Sequence, residues 1–180
     1  MTDASGLLEP ALVERLLERS LAHGGDLAEV YAERRSGFSL ALDDRGLERA
    51  RNGRECGASV RVVAGEATYF GHVDGLAESD LERVADSVAS AVRGRSGRSR
   101  ALRALERPEG QSIERRPEEV AAAHKAELLR ECDDRARALE GRVAQVNAGY
   151  DESRQRIQVA NSDGLHVADD RTRVRLGIQV

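Results

Sequence analysis

Apolar and polar residues alternate along this chain with two different periods, and the places where the period changes mark its elements. Leu12, Val13, Leu16, Leu17, Ser20 and Leu21 repeat at helical spacing behind Pro10. Proline suits the first helical position, where its missing N–H has no partner to lose. Gly24-Gly25 closes this first predicted helix. The period then drops to two. Val30 and Ala32, then Phe38, Leu40 and Leu42, then Ala58, Val60 and Val62, and then Thr68 to Val73 read as short strands. Asp43-Asp44-Arg45-Gly46, Asn52-Gly53, Ala64-Gly65-Glu66 and Asp74-Gly75 read as the turns between them, with Asn-Gly the strongest hairpin signal of the four.

A second helix is predicted from Ser79, where Ser79-Asp80-Leu81-Glu82 has the form of a capping box. Its apolar face is Leu81, Val84, Ala85, Val88, Ala91 and Val92, and it ends near Gly94. Residues 94–116 are rich in Gly, Ser and Arg and read as a long surface loop. Pro117-Glu118-Glu119 opens a third predicted helix with the stripe Val120, His124, Leu128, Cys132, Ala136 and Leu139, closed by Gly141. Strands return at Val143–Ala148, Arg156–Ala160, Leu165–Ala168 and Val174–Val180, with a turn at Asn161-Ser162-Asp163-Gly164. Strands group with strands, so the expected fold class is α+β: a largely antiparallel sheet of short strands with about three helices on one face. The whole of residues 1–180 is expected to form one domain. The pattern runs out inside a strand at Val180, so a chain truncated ahead of a further domain is expected.

Composition narrows the function classes. The chain has 180 residues, enough to bury roughly 70% of its unfolded surface without a disulfide or metal. Aromatics are only 3%, so the core must be aliphatic. No apolar run approaches the roughly 18 residues of a membrane span, and the first ten residues lack the basic and apolar regions of a signal peptide. The formal net charge of −4 disfavours a dedicated nucleic-acid binder. Cys56 and Cys132 fit no zinc or redox spacing and read as reduced, partly buried thiols in a cytoplasmic protein.

Candidate chemistry is sparse. His23, His72, His124 and His166 show no His-x-x-x-His spacing, which would place two imidazoles on one side of a helix. No nucleophile elbow or phosphate-binding loop is present. Cys56 follows Glu55 on a predicted hairpin arm and reads as a half-buried strand thiol. Asp43-Asp44, Asp133-Asp134 and Asp169-Asp170 are adjacent acids, which rarely share an ion, and read as solvated turns and helix surface. The arginines from Arg93 to Arg103 lack interleaved aromatics, so a stacking platform for single-stranded nucleic acid is missing; a solvated loop is the preferred reading, with a protein or nucleic-acid contact as the alternative. An exposed sheet edge offers free N–H and C=O groups to an extended peptide, but the sequence does not say which strand is the edge. No catalytic, cofactor-binding or metal-ligating residue is assigned.

The wording of the segments goes further. Gly57-Ala58-Ser59-Val60-Arg61-Val62-Val63-Ala64-Gly65-Glu66-Ala67-Thr68 resembles the Gly-x-x-Val-Arg-x-x-x-Gly-Glu-x-Thr hairpin of the TldD/PmbA family. Tyr31-Ala32-Glu33-Arg34 and Leu42-Asp43-Asp44 are similar to the strand pair before it. Lys125 to Arg130 and Ala136 to Val143 resemble the helix that follows. Asn161 to Gly164, Asp169-x-Arg171 and Val174-Arg175-Leu176 are similar to the next hairpin. The likeness spans residues 11 to 180 apart from the Arg-rich loop and leans to the TldD branch. It implies a cytoplasmic zinc metallopeptidase that trims or degrades unfolded or modified peptides. It further implies a TldD–TldE (PmbA-type) heterodimer or a homodimer, and an association with modulation of DNA gyrase. The family's catalytic element, His-Glu-x-x-x-His with a later Cys, holds zinc through its histidines and uses the Glu as general base. This chain contains no His-Glu pair. The resemblance therefore implies a non-catalytic portion that builds the dimer and walls the peptide chamber, with zinc bound elsewhere in the full-length protein. A free-standing interaction module is the alternative.

Overall fold

A computed structural model describes residues 6–93, 99–104, 113–139 and 143–180. Its elements are α1 (Pro10–Ser20), β1 (Leu27–Asp43), β2 (Gly46–Ala64), β3 (Ala67–Asp74), α2 (Glu78–Ala91), β4 (Arg103–Ala104), α3 (Ala122–Ala138), β5 (Asn147–Asn161) and β6 (Leu165–Gln179). The strands form one sheet in the order β3-β2-β1-β5-β6-β4. The fold is α+β, with a mostly antiparallel sheet, as the grouping of strands predicts. The pairing of β4 with β6 is parallel, Arg103 against Leu165 and Ala104 against His166.

The strands are long, not short. β1 runs unbroken through Glu33–Phe38, and Asn52-Gly53 lies inside β2 instead of at a turn. The chain reverses instead at Asp43-Asp44-Arg45-Gly46, where Asp44 (φ 43°) and Arg45 (φ 70°) both take the left-handed conformation of a two-residue hairpin turn. Once that turn closes β1 on β2, the ladder carries Asn52-Gly53 through as extended backbone. In the same way β5 joins two expected strands, and β6 joins two more.

The chain divides into two units built from interleaved segments. The first draws on 1–35, 55–110 and 155–170, the second on 36–54, 111–154 and 171–180. In the first, Val13, Leu16 and Leu17 of α1 and Leu81, Ala85 and Val88 of α2 bury against Val30, Ala32, Ala58, Val60 and Val62 of β1 and β2. The alternation predicted for these strands and the stripes predicted for both helices meet in this core. Charge lines the exposed side of the helix pair. Arg15 pairs with Glu78 and Glu82, and Arg19 with Glu82 and Asp86. The hydrogen bonds from the Arg19 guanidinium hold the Asp86 carboxyl below its usual range. These ion pairs are exposed and stabilise little.

They also explain a missing cap. The helix begins at Glu78, with Ala77 in the cap position and no side-chain hydrogen bond there. Ser79 lies inside the first turn, and Glu82 turns to the α1 arginines instead of reaching back to the backbone.

In the second unit, Leu40 and Leu42 of β1 and Ala148 and Tyr150 of β5 pack on Ala126 and Leu129 of α3. This helix starts at Ala122, because Pro117–Glu119 closes a separate 3₁₀ turn. Its buried face is Lys125, Ala126, Leu129 and Asp133, one position round from the predicted stripe. Leu128 is 39% exposed, Leu139 is 70% exposed, and His124 faces solvent. The hydrophobic pattern misleads here because two of the four buried side chains are charged and enter the interior as ion pairs. The long loop expected at 94–116 contains β4 and the 113–116 stretch; 94–98 and 105–112 lie outside the described residues.

The two faces of α3 are separable by truncation. Leu129→Ala is expected to cost ~2–5 kcal/mol in chemical denaturation, the range for a fully buried leucine. Leu128→Ala, the residue on the sequence-predicted stripe, is expected to cost about 1 kcal/mol or less.

Candidate functional site

The sequence offers its ionisable residues one by one; the fold brings a few of them together. The clearest gathering is in the second unit, where α3 crosses β1 and β5. Lys125 lies one turn into the helix and is 5% exposed. Its Nζ sits 2.7 Å from Glu152 Oε2 on β5. The same oxygen accepts the Tyr150 hydroxyl at 2.6 Å. The ammonium also stands 4.8 Å from the centre of the Phe38 ring and 5.6 Å from that of Tyr150. A buried lysine is costly unless its charge is met. Here a carboxylate and two aromatic faces meet it together. Burial pushes the Tyr150 hydroxyl above its ordinary range, helped by its hydrogen bond to the Glu152 carboxylate. Deprotonation there would set a phenolate against a carboxylate.

A cleft of about 360 Å³ opens over this pair, with Phe38, Val120, Ala121 and Ala122 as its apolar wall and Arg54, Glu118 and Arg154 among its polar lining. Glu118 and Arg154 pair at 3.0 Å. The geometry gives structural charge pairing beside an apolar wall. Lys125 is committed to Glu152 and the two rings and stands as a packing strut.

A second depression, of about 440 Å³, lies in the first unit over Tyr31, Glu33, Cys56, Ser59 and His72. His72 is paired across the ladder with Ser59, and its ring stacks on Phe70 at 6.2 Å between centres. Cys56 is exposed, not half-buried, because it lies just short of the paired stretch of β2 that α1 and α2 cover. Cys132 is partly buried, as expected. Asp133 departs from the expected solvated surface: it is buried and accepts from Arg137 Nε at 3.2 Å, with Arg45 3.8 Å away. Arg137 also reaches Asp44, so the turn acids serve the α3 packing. Asp169 and Asp170 depart from the expected solvated turns and helix surface: both lie partly buried within β6, where Asp169 accepts the Asp170 N–H. The sheet edge left open by sequence is β3 on one side; on the other, among the described residues, the two residues of β4 pair with β6.

Zinc needs three or four His, Cys or carboxylate donors converging at about 2 Å. His23 is exposed after α1, His72 is on β3, His124 is on the exposed side of α3, and His166 contacts Gln158. Among the described residues no three such donors come together. The residues present do not fit a zinc site. The Lys125–Glu152–Tyr150 cluster escaped sequence reasoning altogether. Lys125 and Glu152 lie 27 positions apart, and no periodicity or motif spacing links them.

Residues 28–93 match the family model for PmbA/TldA metallopeptidase domain 1, and residues 115–180 match that for the PmbA/TldA metallopeptidase central domain. The chain belongs to the PmbA/TldD metallopeptidase family. A Metalloprotease TldD homolog of Haemophilus influenzae is 28% identical over 158 residues, covering 86% of this chain and 33% of its own length. A second such homolog, of Buchnera aphidicola, is 28% identical over 171 residues, covering 93% and 34%. The chain thus spans about a third of the length of these curated relatives. In fold it is similar to a Bacteroides thetaiotaomicron protein described as a modulator of DNA gyrase, with TM-score 0.71 and 16% identity over 93% of this chain and 40% of that one. TldE of Thermococcus kodakarensis gives 0.61 and 15% over 92% and 38%. No helix among the described residues of this family member is long and apolar enough to cross a membrane.

The buried pair makes two tests. Lys125→Ala is expected to cost about 3–5 kcal/mol, since it leaves a buried carboxylate uncompensated. Lys125→Met with Glu152→Gln should recover most of that loss in the same denaturation assay; a double variant as unstable as the single one would show that the pair is not the cause. For Tyr150, the folded state keeps the proton that the unfolded state releases near pH 10. Stability is then full below about pH 10 and falls as pH rises beyond it. Tyr150→Phe is expected to flatten that alkaline fall in melting temperature measured against pH.

Proposed function

We propose that this chain supplies non-catalytic scaffold of a TldD-type zinc metallopeptidase. The observation that carries the reading is a pairing: two adjoining models of one metallopeptidase family match the chain, while its own metal-capable side chains are scattered. The second unit spends its buried ionisable groups on packing, as Lys125, Asp133 and Glu152 illustrate. Such a scaffold walls a chamber for extended, unfolded or modified peptides and contributes to a dimer with a TldE-type subunit or a second copy. The zinc-binding His-Glu-x-x-x-His element lies, in this reading, outside these 180 residues. When bound there, zinc lowers the pKa of its water and polarises the scissile carbonyl. The setting is the cytoplasm, where Cys56 and Cys132 stay reduced.

The purified 180-residue chain is expected to hold no equivalent of zinc by elemental analysis and to leave an unfolded peptide uncut. Substituted for the matching region of the Haemophilus influenzae relative, it is expected to support whatever chelator-sensitive cleavage that relative shows. One equivalent of zinc with chelator-sensitive cleavage by the chain alone would overturn the proposal, and so would a folded chimera that loses the relative's activity.

A further inference from the structure

We propose that His166 is a protonation-sensitive latch that holds the segment ahead of α1 against β5 and β6. The latch works through Gln158, which is 2% exposed on β5. Leu8 N–H donates to Gln158 Oε1 at 2.7 Å. Gln158 Nε2 donates back to the Leu8 carbonyl at 3.1 Å. Both partners are main-chain groups with fixed roles, so they settle which end of the amide is oxygen and which is nitrogen. The second N–H of that nitrogen faces His166 Nε2 at 2.8 Å. A ring nitrogen meeting an N–H must present a lone pair. The latched imidazole is therefore neutral and carries its proton on Nδ1.

Protonation puts an N–H on Nε2 and sets donor against donor at that distance. The amide has no free way out. Flipping it would place oxygen against the Leu8 carbonyl and nitrogen against the Leu8 N–H. The amide fills the space over Gly6, where an added Cβ would lie 2.7–2.8 Å from its atoms, and turning it aside would break both of its bonds to Leu8. What gives is the docking of Gly6–Leu8. Leu8 is buried in the first unit's core beside Leu12, so its release loosens the entry to α1. Other ionisable groups lie on the elements around His166. They are Glu9 next to Leu8, Glu14 on α1, which accepts the Leu102 N–H at 3.4 Å ahead of β4, Arg103 on β4, Arg156 on β5 and Asp170 on β6. Among the described residues Gln158 is the imidazole's hydrogen-bond partner.

The test is nuclear magnetic resonance on the whole 180-residue chain. Imidazole nitrogen shifts at about pH 8 are expected to show the Nδ1–H tautomer at His166. Protection of the Leu8 amide from hydrogen exchange, corrected for intrinsic pH dependence, is expected to fall roughly tenfold between about pH 8 and about pH 5.5. Leu129 protection should hold over the same range. His166→Gln keeps an acceptor that does not titrate, so Leu8 should stay protected at both pH values. An Nε2–H tautomer at His166, pH-independent protection of Leu8, or an equal loss in His166→Gln would each overturn the proposal. If that variant does not fold, the tautomer in the unmodified chain decides alone.

Discussion

The aliphatic stripes of α1 and α2 have one place to go: the alternate positions of β1 and β2. With Phe, Tyr and Trp at 3% of the chain, no large side chain plugs the first unit's centre. Its interior is Leu, Val and Ala, set close enough that Leu16, Leu17, Val60 and Val62 are almost wholly sealed from water. Val and Ala at alternate strand positions and Leu, Val and Ala on the helices interdigitate at high density. A one-residue slip of β2 would turn Ala58, Val60 and Val62 to the opposite face together. The left-handed turn at Asp44 and Arg45 joins β1 to β2.

The second unit solves the same problem with poorer material. Its helix carries Ala126 and Leu129 inward but also Lys125 and Asp133. Each buried charge is met: Lys125 by Glu152 and two rings, Asp133 by Arg137. Replacing such pairs with apolar residues often leaves a fold as stable or more so. Their presence fixes one orientation of α3 on the strands, because rotating the helix by one position would draw Lys125 away and leave the buried Glu152 carboxylate without its ammonium. The same commitment takes these groups out of catalysis. Burial, helped by the hydrogen bond to Glu152, keeps the Tyr150 hydroxyl protonated, and Lys125 is taken up by the same carboxylate.

This division of labour bears on the functional reading. A protein that cuts peptide bonds through zinc needs converging donors and an open coordination position. A protein that positions extended chains needs stiff strands and a shaped surface. Among the described residues β1, β2, β5 and β6 run for 15 to 19 residues, and the buried charges of the second unit are met by packing partners. Membership of a metallopeptidase family is compatible with the lack of converging metal donors among the described residues, since the chain spans about a third of these curated relatives' length.

The sequence by itself determined the class of the fold, the α1 and α2 core faces and the absence of any local zinc motif. Those features are short-range: a period of 3.6 or 2 and a ligand spacing are written in neighbouring residues. It also carried the family, through a collinear set of hairpin and helix phrases from Gly57-Ala58 to Val174-Arg175-Leu176. Tertiary structure alone decided the rest. Whether Asn52-Gly53 turns or stays extended depended on a ladder set six residues earlier. The inward face of α3 depended on Glu152, far along the chain, because hydrophobicity ranks lysine as a surface residue until a partner meets its charge. The role of His166 depended on an amide whose orientation is fixed by Leu8, 150 positions before it. Long-range pairing of polar groups leaves no periodic trace in a sequence, and that is where reading by pattern ends.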